Sequence, residues 1–209
     1  MEPITREFWR RGAAFLTVSL MSVMYVRYAW LTATGDIQPR LATWLLSAIA
    51  VSISMASYLS HRLETDPGRG KMDGFITNAQ NSIDLLGTWL ISAAIFFSAR
   101  ADAYFNGFDL VCIGAAVAIL VFWRLNRKHA AANLAIQIIM VVAYFPTFYV
   151  LWSAGQNTES FVTWGMTWIA AAASVVPAVL DKDKLAVVYS GRAVLLVTLL
   201  LLLMLRAAW

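Results

Sequence analysis

The chain has 209 residues, 60% of them hydrophobic and 13% charged, and a net charge of +4. Such a composition is too apolar for a soluble domain and supplies several membrane-spanning runs, so the basic excess is read as membrane topology and does not imply a nucleic-acid partner. A single cysteine, Cys112, rules out an intramolecular disulfide.

Arg6, Arg10 and Arg11 precede an apolar run that imitates a secretory signal, but the run is too long and lacks a small-residue cleavage site. It predicts an uncleaved first helix over about 12–34, with Arg27 near its far end. After Gly35 and Pro39 a second helix is predicted over 41–60. Its Thr43, Ser47, Ala50, Ser54 and Ser57 are spaced four, three, four and three apart, which places them on one face. In lipid a face of small residues lets a neighbouring helix approach closely, so this is read as a packing seam. From His61 to Gln80 the chain reads as the longest polar loop, exposed and without apolar period. A third helix follows over about 82–99, with Asp84 one turn inside, and a fourth over about 108–124 ends at Trp123-Arg124. The basic stretch to His129 closes the first half. The fifth helix (131–152) carries Asn133, Gln137 and Tyr144, the sixth covers 160–180, and Asp181-Lys182-Asp183-Lys184 leads into the seventh over about 185–205.

The sixth helix echoes the second. Moved 120 residues along, the small face becomes Thr163, Thr167, Ala170, Ser174 and Pro177, and Trp44 becomes Trp164. Pairing 13–58 with 133–178 gives seven identities, among them Gly35 with Gly155. A duplicated unit accounts for this. Three helices end on the side opposite to where they began and one more crossing restores it, so the fold expected is all-α and integral to the membrane: seven spans as two parallel three-helix repeats joined by a linker helix. The repeats are 1–104 and 131–209, with the linker helix and basic loop at 105–130. Eleven Lys and Arg fall on the N-terminal side of the spans and three on the other. That bias predicts a cytoplasmic N-terminus and an external C-terminus in the plasma membrane, the inner membrane of a bacterium. Trp30, Trp123, Trp152 and Trp209 at span ends suit an aromatic belt.

The 3+1+3 plan, a tryptophan near the head of the second helix of each copy, and Tyr144-Phe145-Pro146-Thr147 resemble the SWEET, PQ-loop and PnuC group of small-solute transporters. With no Pro-Gln dipeptide and an N-terminus predicted inside, the chain is more similar to a PnuC-like or uncharacterised branch of the group than to SWEETs. The resemblance implies alternating-access movement of a small polar solute, such as a sugar, nucleoside or vitamin.

Asn133 and Gln137 share a face with Tyr144 and form a polar stripe that would meet a solute near the midplane, or glue helices together. Trp44 and Trp164, at symmetry-related places, could close over a ring from two sides, or anchor the interface. Pro146 and Pro177 each free a backbone carbonyl and are candidate hinges. Asp84 and Arg192, aligned when Ser82 is set on Ser190, are candidates to pair as an inner gate. No lysine lies within the last helix for a retinal, neither histidine lies at depth for a haem, and no nucleophile with its base points to an enzyme, so neither cofactor nor metal is expected. The remaining alternative is a non-catalytic subunit, in a homo-oligomer or a larger membrane complex.

Overall fold

The computed structural model describes residues 3–65, 71–98, 105–126, 129–153 and 157–209. Arg69, Arg100, Arg127, Lys128 and Gly155 lie outside the described residues, as do the side chains of Lys71, Trp123, Arg124 and Asn133. The described chain is helical throughout: α1 (Pro3–Thr34), α2 (Leu41–Thr65), a short α3 (Lys71–Thr77), α4 (Ala79–Ser98), α5 (Gly107–Asn126), α6 (His129–Ser153), α7 (Phe161–Leu180) and α8 (Lys184–Ala208). Six of these helices, α1, α2, α4, α6, α7 and α8, are long and apolar enough to cross a bilayer. They make this an all-α membrane protein. The described apolar part of α5, Gly107–Val121, is shorter.

Two sequence expectations are corrected here. The first helix starts at Pro3 rather than near residue 12, because Arg6 and Arg10 find acidic partners within the bundle and need not stop it. The described residues of the stretch from His61 to Gln80 do not form an exposed loop. α2 runs on to Thr65, α3 occupies Lys71–Thr77, and Thr77, Asn78, Ala79 and Gln80 are all buried. The polar side chains of Thr77 and Gln80 make their contacts inside the protein rather than with water.

Turn chemistry sets the helix ends. Gly35, at φ 82°, closes α1 in the left-handed conformation that glycine adopts without strain, and the Asp36 N–H donates to the Leu31 carbonyl at 3.0 Å. At the start of α5, Asn106 and Asp109 cap each other reciprocally, side chain to backbone, at 2.8 and 2.9 Å. Between α7 and α8 the chain turns through Lys182, a non-glycine residue at φ 55°. Asp183 then caps α8, accepting from the N–H groups of Leu185 and Ala186.

The packing has a regular order. α4 lies between α1 and α2, and α8 lies between α6 and α7. Across the molecule α1 packs on α7, and α2 packs on α6. α5 packs on the flank of α6. The small-residue faces of α2 and α7 are buried: Thr43, Ser47, Ala50 and Ser54 on one, Thr163, Thr167, Ala170 and Ser174 on the other. Thr17 of α1 donates to the Ala170 carbonyl of α7 at 3.1 Å, a close approach that a small residue permits. On the opposite seam the Thr43 hydroxyl of α2 meets Thr147 of α6 at 2.9 Å. α6 and α7 run unbroken through Pro146 and Pro177.

Candidate functional site

α1, α2, α4, α6 and α7 converge on a cavity deep in the bundle. Its volume is about 40 Å³, room for two or three water molecules. Asp84 and Gln80 of α4 reach it, together with Tyr25, Tyr144 and the two tryptophans Trp44 and Trp164. Both tryptophans are buried, at 6% and 4% exposure, so neither is an interfacial anchor. Nor do they hold a space for a ring between them. They stack on each other, centroids 6.0 Å apart and planes inclined by 29°.

The tryptophans form the cavity's wall toward the side where α1 ends, here the far side. Above them sits Tyr28, fully buried, 4.9 Å from Trp44 and 6.1 Å from Trp164 between centroids. The Tyr28 hydroxyl donates to Glu159 at 2.7 Å and accepts from the Trp44 indole at 3.3 Å. The Trp164 indole donates to the same carboxylate oxygen at 2.9 Å. Glu159 lies two residues before the start of α7 and is 7% exposed. Burial outweighs its two donors and pushes its carboxyl up to about 7.

Asp84 stands on the opposite wall. One carboxylate oxygen accepts from Tyr25 of α1 at 2.7 Å and the other from Tyr189 of α8 at 2.8 Å. Tyr25 gets this close because Gly87, one turn along α4, has no side chain: a Cβ there would come within 2.1 Å of the tyrosine ring. The Arg192 guanidinium lies over the Tyr189 ring, 4.8 Å from its centroid. No Asp84–Arg192 ion pair is found, and the predicted pairing is corrected on this point: Tyr189 stands between them, bonded to the carboxylate by its hydroxyl and to the guanidinium by its face. The Nε and Nη1 atoms of Arg192 are buried without a hydrogen-bond partner. Arg27 is exposed and takes no part.

The expected polar stripe on α6 is divided. Tyr144 lines the cavity, whereas Gln137 is buried outside the lining with its side-chain oxygen unpartnered. Asn133 has its side chain outside the described residues.

Toward the near side, where α1 begins, the bundle closes on a cluster of charges. Arg10, 7% exposed, bonds Asp181 at the end of α7 at 2.7 Å and also pairs with Asp73 of α3. Arg6 donates to the Leu180 carbonyl. Thr77 donates to Asp181 at 2.7 Å, Arg62 of α2 pairs with Asp73 at 2.6 Å, and Tyr58 donates to Asp183 at 2.7 Å. These contacts tie α1, α2 and α3 to the turn between α7 and α8, and neither Asp84 nor Arg192 takes part in them. In sequence Arg6 and Arg10 read as topology signals alone. The clue to their second role is the acidic residues in the two short connections, Asp73 before α4 and Asp181 and Asp183 before α8. Glu159, the other residue missed, had its clue in standing at the head of the echoed helix, five positions before a tryptophan. No family model, curated protein or solved structure matches the chain.

Proposed function

We propose that the protein is a membrane transporter or facilitator that moves a small polar solute through the central cavity by alternating access, and that it does so on a plan of two parallel three-helix repeats joined by α5. The packing order supports the repeat. In each triplet the third helix lies between the first two, and the first helix of each packs on the second of the other. Trp44 and Trp164 occupy equivalent places in the two copies, and equivalent residues touch where a pseudo-twofold axis passes between them. The resemblance to a PnuC-like or uncharacterised branch and the cytoplasmic N-terminus belong to this proposal, the latter on the charge bias.

One observation carries the functional reading: the cavity lies between two sets of contacts, one toward each side of the bundle, and each set joins the two triplets. On the far side the contact is Trp44 on Trp164. On the near side it is Arg10 with Asp181, and Tyr58 with Asp183. A body that opens one closure while keeping the other exposes the cavity to each side in turn. Trp44, Trp164, Tyr144 and Asp84 would then face the solute, and no catalytic step is needed.

Accessibility of a cysteine placed in the lining tests this. With Cys112 replaced by Ala, Ser47→Cys or Thr167→Cys in sealed vesicles should react with a membrane-impermeant maleimide added to either side. Failure to label from one of the sides would sink alternating access. The small size of the cavity favours the rival reading, a static non-catalytic subunit of a larger membrane complex, and in that case neither cysteine reacts from either side.

A further inference from the structure

The chemistry of the lining points to the class of solute. Tyr25, Trp44, Trp164 and Tyr144 form an unbroken run of neighbouring rings, with centroid separations of 6.4, 6.0 and 6.1 Å, one ring from each of α1, α2, α7 and α6. Met21, Met24 and Met140 add polarisable thioethers, and Asp84 is the one charged residue in the lining.

The lining's hydroxyls suit a sugar poorly. Thr43 is bonded to Thr147, Thr88 donates to the Asp84 carbonyl, and Thr167 donates to the Thr163 carbonyl. Gln80 already accepts from Ser174. What is left over is the Ser47 and Tyr144 hydroxyls and the Gln80 amide nitrogen, fewer groups than the hydroxyls of a hexose. An anion would meet the Asp84 carboxylate, since Arg192 lies behind Tyr189 and outside the lining. A cation meets the opposite situation. Ring faces carry negative potential, a carboxylate has about four acceptor positions, and the two tyrosines occupy one on each oxygen of Asp84.

We infer that the cavity takes a small organic ammonium ion, its charge set against Asp84 and its apolar body held among the four rings. This rests on the reading of the cavity as a solute site. Binding requires the void to expand, which separation of the stacked tryptophans provides.

The test is titration of the full chain in lipid nanodiscs, followed by tryptophan fluorescence, with choline and tetraethylammonium as charged probes. The uncharged probes are 3,3-dimethylbutan-1-ol, which matches choline in shape, and glucose. The cations should bind, with the alcohol weaker by about tenfold or more. Asp84→Asn should abolish that preference without changing the alcohol's affinity. Tyr144→Leu should weaken choline binding roughly three- to tenfold and Tyr144→Phe should not, because only the former loses the ring face; this pair decides the matter if Asp84→Asn fails to fold. Equal affinity for choline and the alcohol overturns the inference, as does a cation affinity indifferent to both Asp84→Asn and Tyr144→Leu. Binding of glucose or the alcohol without the cations removes the ammonium site but leaves a solute cavity standing. If no probe of either kind binds, both fall.

Discussion

At the scale of single residues, two positions hold the walls of the cavity in opposite ways. Gly87 acts by what it lacks. Its missing side chain leaves the place where the Tyr25 ring lies, and Tyr25 in turn holds one oxygen of Asp84. Gly87→Ala should therefore destabilise the protein by about 1–3 kcal/mol in denaturant unfolding, the usual cost of overpacking, although alanine is the better helix former. Combining it with Tyr25→Ala should cost less than the sum of the two changes, since the clash is then gone; additive losses would mean that Tyr25 does not rest on Gly87. Glu159 acts through its proton. Burial raises its carboxyl from an ordinary value near 4.5 to about 7, so the folded state favours the neutral form. The sign follows: the folded protein binds more protons than the unfolded one between these values, and stability contributed by the neutral acid is fully present below pH 4.5 and lost as pH rises through 7. Relative to Glu159→Gln, which keeps an acceptor for Tyr28 and Trp164, the wild type should lose up to about 3 kcal/mol over that interval. Parallel pH profiles for the two proteins would show that Glu159 is not held neutral. Neither position stood out in the sequence. A glycine within an apolar helix is common, and a glutamate in a polar connection gives no sign of its burial until the partner helix is in place.

At the scale of elements, the helices were legible and their connections were not. Apolar runs with at most one or two charges inside them locate α2, α4, α6, α7 and α8 to within a few residues, because a span needs about 20 apolar residues and leaves little freedom in placing them. The polar stretch from His61 to Gln80 reads as exposed on its polarity alone, whereas Asp73, Thr77 and Gln80 find partners inside the protein. Asp84 and Arg192 fall at matching depths in the sequence, but a one-dimensional pattern does not show Tyr189 entering between them. The turn from α7 to α8 carries a prediction of its own. Lys182 adopts a left-handed conformation, which costs a residue with a side chain roughly 1 kcal/mol that glycine avoids. Lys182→Gly should raise thermal stability slightly, whereas Asp183→Ala should lower it by about 1 kcal/mol or more through loss of the α8 cap and of the partner to Tyr58. If Lys182→Gly is destabilising instead, the turn does not have the conformation described.

At the scale of the whole molecule, the near and far closures differ in kind, and that difference can be tested. The far closure is aromatic stacking above a hydrogen-bonded carboxylate, while the near closure is a set of charges tying α1, α2 and α3 to the α7–α8 turn. Charges withdrawn from water depend on one another: removing one partner of a buried pair leaves the other unpaired and costs about 3 kcal/mol or more, while removing both can cost much less. Arg10→Ala and Asp181→Ala should each lower stability by that order, and the double variant should lie well above the sum of the losses. If this cluster closes the near side of the cavity, each single change should also speed maleimide labelling of Ser47→Cys from the near side and leave far-side labelling unchanged. Trp44→Ala should do the reverse. Both readouts matter, because a purely structural cluster would show the stability pattern without the sidedness. Equal acceleration from both sides by Arg10→Ala would mean that the bundle had merely loosened, and the Arg10–Asp181 cluster would no longer count as a gate.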